Sequence, residues 1–241
     1  MPTLTALGND GQVINTHSLS RGWWSNIRDA GTGAFASSGG TRSSKAVILG
    51  RGSTFIMSRE FFAFDCSGIS STVSSATLRI YGFSTNSGVP IVVKASAPNS
   101  NGTTALSTSD FDAIPGFSAG NSMNGNVTDY SAALTGWNLN AYNDFTLNST
   151  ALSDLQSNSI IQIAIVNYTY DYLNSNPGLV DPNLVNGMYF QDFLGTSTDP
   201  IIDYTLATAG YGDNVNLVAA ANIASVNGVA TANIDKINGV D

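Results

Sequence analysis

The chain has 241 residues, of which 42% are hydrophobic and only 11% charged, with a net charge of −8. That length and apolar share allow one large β domain or two small ones, and the acidic balance excludes the basic footprint of a nucleic-acid binder. The charged share is well below the usual quarter. Gly, Ser, Thr and Asn take its place, a mixture that disfavours long surface helices and suits short strands joined by tight loops.

Residues 1–40 read as an irregular segment that packs on the domain or on a partner. They contain the Gly/Ser-rich run DAGTGAFASSGG and the Trp23–Trp24 pair. The start lacks a basic n-region and an apolar h-region, so the expectation is synthesis in a cytoplasm without a signal peptide. No window reaches transmembrane length, and no membrane partner is expected.

From residue 41 strand signals follow closely: KAVILG, STFIMS, REFFAFDC, SATLRIYGF, PIVVKASA, DFTLN, SIIQIAIVNYTY, GMYFQDF and PIIDYTLAT. Most are rich in β-branched or aromatic residues and are bounded by Gly, Pro, Asn or Ser. In REFFAFDC, Phe62, Phe64 and Cys66 share a face opposite Phe61, Ala63 and Asp65. In SATLRIYGF, Ala76, Leu78 and Ile80 face away from Thr77, Arg79 and Tyr81. This period of two predicts half-buried strands. Helical signal is confined to STALSDLQSN, residues 149–158, where Thr150 is placed as the cap of a turn and a half. The pattern predicts an all-β fold, an antiparallel jelly-roll β-sandwich over residues 41–207.

Charge is unevenly spread. Residues 1–94 carry eight of the nine Lys and Arg against four acids, whereas residues 95–241 carry Lys236 against thirteen Asp. A sandwich interleaves its halves, so the asymmetry is expected to average out. Cys66 is the single cysteine. It excludes an internal disulfide and reads as a buried, inert thiol.

After about residue 208 the composition shifts to a linker, TAGYGDN, and then to a repeated phrase, NIASVNGV at 222–229 and NIDKINGV at 233–240. As short helices, the two units would end on Gly228 and Gly239 with a clasp between Val and Ile. As hairpins, Asn-Gly would supply the turn. The helical reading is preferred because the flanks lack clean alternation. Either way the arm is too small to fold alone. Its apolar stripes, Ile223, Val226 and Val229, then Ile234, Ile237 and Val240, are the expected partner-docking residues.

One stretch supports a family resemblance. Arg59-Glu60-Phe61-Phe62-Ala63-Phe64-Asp65, then Ile69, then Ser75-Ala76-Thr77-Leu78-Arg79-Ile80-Tyr81 resembles the DNRLRE-type modules. These are jelly-roll domains related to carbohydrate-binding modules and to TGF-β-propeptide-like sandwiches. Asp129-Tyr130 with Trp137, and Asp199-Pro200-Ile201-Ile202, resemble later segments of that family, so the likeness covers about residues 28–206. The first forty residues and the tail lie outside it. The tail is similar to the NGV-rich repeats appended to structural proteins of tailed phages. Arg59 and Arg79 are placed in neighbouring strands, each pairing with a carboxylate such as Glu60 or Asp65 at a strand end. Such links fix strands and loops rather than bind a ligand.

A search for chemistry finds no catalytic constellation. His17 is the only histidine and Glu60 the only glutamate, and no nucleophile elbow, HExxH, paired CxxC or phosphate loop occurs. Asp110 and Asp112 form an Asp-x-Asp in a Ser-rich loop, which reads as turn chemistry. Asn9-Asp10-Gly11 and Tyr211-Gly212-Asp213-Asn214 offer oxygen ligands for Ca²⁺ but lack the EF-hand spacing. Asx-turns explain both, so no cofactor or metal is expected. The binding candidate is VNYTYDY followed by LNSNPG. Tyr168, Tyr170 and Tyr172 on one strand face, beside Asp171 and Asn174, would stack on and hydrogen-bond a surface glycan.

The sequence thus predicts a non-enzymatic virion protein. It would be a capsid decoration or cement protein, or another accessory, attached by its terminal segments to other virion proteins. A symmetric homo-oligomer such as a trimer is expected. The alternative is a host-recognition module of a tail or head fibre that binds a glycan.

Overall fold

The structure, a computed structural model, describes residues 1–18, 23–38, 48–50, 54–98, 104–178, 184–191, 196–207, 225–226 and 229–230. The chain divides into two compact units, Met1–Thr205 and Leu206–Asp241. The break lies close to the shift in composition near residue 208.

The first unit is an antiparallel β-sandwich of two sheets packed together. The strands are β1 (Thr3–Thr5), β2 (Gly11–Ser18), β3 (Phe35–Ser38), β4 (Ile48–Gly50), β5 (Thr54–Asp65), β6 (Val73–Asn86), β7 (Pro90–Lys94), β8 (Ala141–Thr146), β9 (Ile160–Asn167), β10 (Val185–Met188) and β11 (Ile201–Leu206). One sheet has the order β1-β11-β6-β10, with β8 also paired to β6. The other runs β3-β2-β5-β9-β7, with β4 also paired to β5.

The first forty residues are therefore not an irregular segment. β1 pairs with β11 in one sheet, and β2 lies between β3 and β5 in the other. Polar GQVINTHS hid this strand because it lacks an apolar alternation, and its Asn15 serves the fold as a hydrogen-bonding group. Asn15 Nδ2 donates to the carbonyls of Asn26 and Ile27 at 3.0 Å each, satisfying the open end of helix α1 (Trp23–Arg28). In α1 the Trp23 ring stacks on Phe55, centroids 3.6 Å apart.

STFIMS and REFFAFDC form one continuous strand, β5. The expectation that it is half-buried is also corrected: nearly every residue from Phe55 to Phe64 is buried. The alternation sorts these side chains between two cores. Phe55, Met57 and Phe61 point outward into a cluster with Val13, Ile27, Phe111, Ile114 and Met123. That cluster is capped by α1 and the segment from residue 104 to 127. On the opposite face, Phe62 packs against Phe190, ring centroids 5.5 Å apart, and Phe64 is fully buried. A strand covered on both faces reads as a continuous apolar run.

In β6 the expected alternation holds. Ala76, Leu78 and Ile80 are buried, while Thr77, Arg79 and Tyr81 are half-exposed. Gly82 follows because a Cβ there would lie 2.3 Å from the carbonyl oxygen of Asn138 and 2.6 Å from Trp137 Nε1. An isolated glycine inside a strand marks such a close approach. The short helix exists as α2 (Ser149–Ser157), but its cap is Asn148, whose side chain accepts from the amides of Thr150 and Ala151. Cys66 is buried and unpaired.

In the second unit, strands β12 (Ser225–Val226) and β13 (Val229–Ala230) pair antiparallel, Val226 opposite Val229. Two residues join them, so the first repeat is a hairpin and the preferred helical reading is corrected. β-Branched valines on either side of an Asn-Gly favour this connection. Residues 227–228, Ile223 and the second repeat with Ile234, Ile237 and Val240 lie outside the described residues, as does Tyr211–Asn214. No described helix is long and apolar enough to cross a membrane.

Candidate functional site

The tyrosine row expected on one strand face is rearranged. β9 ends at Asn167, and residues 168–172 wind into a π-helical turn. In that turn the amide of Leu173 donates to the Tyr168 carbonyl at 2.9 Å. Asn167 caps it, its Oδ1 accepting from Tyr170 N at 2.8 Å. The winding separates the five candidates. Tyr172 is buried, with its hydroxyl donating to Asp129 Oδ2 at 2.7 Å and its ring stacked on Tyr168. Burial and the Asp129 carboxylate both raise the Tyr172 phenol above its ordinary value. Asn174 is tied on both sides, accepting from Trp24 Nε1 at 2.8 Å and donating to the Gly120 carbonyl at 3.0 Å. Tyr168, Tyr170 and Asn174 keep partial exposure.

Asp171 is fully buried, and its partner is Arg59. Arg59 Nε donates to Asp171 Oδ2 at 2.7 Å and Nη2 to Oδ1 at 2.8 Å. Nη1 reaches the Phe111 carbonyl and Nη2 also the Arg28 carbonyl. The faces of the guanidinium are covered by Phe111 and Phe117, 4.2 and 4.4 Å from the ring centroids. Arg28 adds a third hydrogen bond, from its Nε to the Asp171 backbone carbonyl at 2.9 Å. This constellation joins α1, β5, the 3-10 turn Thr108–Asp112 and the π-helical turn. Both charged side chains of the Arg59–Asp171 pair are fully buried, and the constellation holds these segments together.

Other residues of interest have local roles. Asp110 accepts from the amide and hydroxyl of Ser107, the expected turn chemistry, while Asp112 is exposed. Asp10 Oδ2 accepts from the Gln191 amide at 2.9 Å. His17 Nδ1 lies 2.6 Å from the Ser18 carbonyl oxygen. Asp65 accepts from the amide and hydroxyl of Ser67. Arg59 and Arg79 sit in opposite sheets rather than in neighbouring strands, and neither pairs with Glu60 or Asp65. The lopsided charge is absorbed by pairing across the chain: Arg59 with Asp171, Arg79 with Asp144 and Asp203, Lys94 with Asp154.

A different surface gathers half-exposed aromatic and charged groups. On the outer face of the β6 sheet, Arg79, Tyr81 and Phe83 alternate along β6. Tyr81 pairs with Tyr142 and Arg79 with Asp144 in the β6–β8 register. Tyr189, just past β10, donates its amide to the Tyr81 carbonyl. The Tyr81 ring is edge-on to Tyr142 at 5.2 Å and tilted against Tyr189 at 5.9 Å, and Tyr189 lies 4.9 Å from Phe83. At one end Arg79 sits over the Tyr142 ring at 4.9 Å. Beside it opens a groove of about 300 Å³ lined by Ser75, Thr77, Arg79, Asp144, Asp203 and Thr205, among others. The sequence signal was the half-buried face of SATLRIYGF, but Tyr142 and Tyr189 carry no local mark of belonging to it. No family model and no curated protein matches the chain, and the resemblance drawn from residues 59–81 rests on those residues alone.

Proposed function

We propose that the chain is a non-enzymatic structural protein of a tailed-phage virion, a capsid decoration or accessory protein held to the particle by its C-terminal segment. The observation that carries this reading is the separation of residues 206–241 as a unit of their own, with the NIASVNGV/NIDKINGV repeat inside it. A hairpin of two-residue strands is marginal in water without a surface to pack on, so the segment calls for a partner: another virion protein, or further copies in a symmetric oligomer such as a trimer. The N-terminal strands β1 and β2 are bound into the sheets, which favours the C-terminal segment as the attaching arm. The test is deletion of residues 208–241 followed by measurement of particle occupancy, with loss of incorporation expected. Unchanged occupancy overturns the reading.

The second reading, a host-recognition module of a fibre, is favoured by the half-exposed aromatic face of the β6 sheet.

A further inference from the structure

We propose that the outer face of the β6 sheet, through Tyr81, Tyr142 and Tyr189 beside Arg79, Asp144 and Asp203, binds an uncharged pyranose glycan. The inference rests on the recognition reading and gives it a site and a ligand class.

Three observations carry it. First, the rings are half-exposed, whereas the aromatics of the same sheet's other face, Phe145 and Phe190, are buried. Half-exposed rings in a row present an apolar body edged by polar tips. The axial C–H faces of a pyranose are apolar and its rim is hydroxylated, so the two surfaces match.

Second, the groove at the end of the row holds polar groups already fixed in place. Arg79 Nε donates to Asp144 Oδ1 at 3.0 Å and Nη1 to Asp203 Oδ2 at 3.2 Å. Thr3 Oγ1 donates to Asp203 Oδ1 at 2.6 Å. Asp144 remains exposed, and the Arg79 side chain is 34% exposed. A carboxylate and a guanidinium held side by side can accept from one hydroxyl of a vicinal diol and donate to the next, with little left to order on binding. At about 300 Å³ the groove reaches the lower end of small-ligand sites.

Third, the charge selects. Among the side chains that line the groove with Met1, two carboxylates surround one guanidinium, an excess of one negative side-chain charge. A uronic or sialic acid would bring a like charge against Asp144 and Asp203, and such juxtaposition costs affinity. An uncharged sugar avoids that cost. The surface is distinct from the 168–174 segment, where Asp171 and Tyr172 are interior.

The experiment uses the full chain on an array of uncharged glycans and of uronic- or sialic-acid-terminated ones, followed by calorimetry with the best uncharged oligosaccharide. Binding to at least one uncharged glycan is expected, with weaker or no binding to its acidic counterpart. Tyr189→Ala and Tyr81→Ala should each weaken binding by about tenfold, the scale of one lost aromatic contact. Tyr81→Phe, which keeps the ring and removes the hydroxyl that donates to the Asn140 carbonyl, should stay within about twofold by the same reasoning. Tyr168→Ala on the other surface should change nothing. Thermal melting checks each variant, and Tyr189→Ala, beyond the end of β10, serves if Tyr81→Ala does not fold. Glycan binding that survives both alanine variants overturns the site while leaving the recognition reading intact. Absence of binding to every glycan on the array overturns both, and preference for acidic glycans overturns the ligand class.

Discussion

Asp171 meets the edge of the Arg59 guanidinium through two hydrogen bonds of 2.7 and 2.8 Å, across 112 residues of sequence. Both side chains are fully buried. The pair is the point at which the helical and looped cover of the outer core is fastened to β5. Bidentate geometry together with two aromatic faces meets the conditions under which a buried pair offsets its desolvation cost.

Removing one partner should therefore be far worse than removing both. Arg59→Met leaves Asp171 as a buried charge facing only Arg28, and the expected loss is about 3–5 kcal/mol. Asp171→Leu should cost a similar amount. In a double-mutant cycle read by urea denaturation, the combined variant should lose clearly less than the sum. Additive losses would show that the two side chains do not act as a unit.

Asn148 has two duties. Its Oδ1 accepts from the amides of Thr150 and Ala151, and its Nδ2 donates to the Asp129 carbonyl at 2.7 Å. Asn148→Ala is expected to lower stability by about 1–2 kcal/mol. Thr150→Ala should stay within about 0.5 kcal/mol, the ordinary scale for a surface position without such a role. Thermal melting of the two variants decides which residue caps α2.

Acid should loosen the Lys94–Asp154–Tyr130 link. Burial pushes the Asp154 carboxyl upward, but hydrogen bonds from the Tyr130 hydroxyl and from Lys94 outweigh it and hold the group below its ordinary value. A carboxyl depressed by folding stabilises the fold above its unfolded pKa of about 4. That contribution is lost as pH falls through the folded value. Asp154→Asn should therefore flatten the acid side of the stability-versus-pH curve below about pH 4, where its unfolded reference lies. The curve above that point should keep its shape.

Burial pushes the Cys66 thiol up to about 11, so little thiolate is present at neutral pH. Ellman's reagent at pH 8 should leave the native protein unlabelled and titrate one thiol in denaturant. Rapid native labelling would contradict the buried position of Cys66, just past the end of β5.

Much of the fold was legible because β strands declare themselves by local chemistry. Alternation in SATLRIYGF fixed which side of β6 is buried. The apolar runs at 54–65 and 160–167 marked strands that the structure places side by side. β2 was not legible, since GQVINTHS pairs on both sides and lends Asn15 to the end of α1, so a polar strand passed for a loop. The Tyr168–Tyr172 segment failed for a related reason. Its period of two was real, but Asn167 caps a turn there, and the buried carboxylate of Asp171 is drawn to Arg59.

By itself the sequence determined the class: low charge, turn-rich composition and period-two patterning allow little except an antiparallel sandwich, and the change near residue 208 announced a separate tail. Only the tertiary structure decided which side chains meet. Sheet pairing brings Tyr81, Tyr142 and Tyr189 onto one surface and sends Asp171 inward to a charge 112 residues away. Such contacts depend on which strands lie beside each other and on how their registers align. No local preference encodes either, because both follow from burying the whole apolar surface at once.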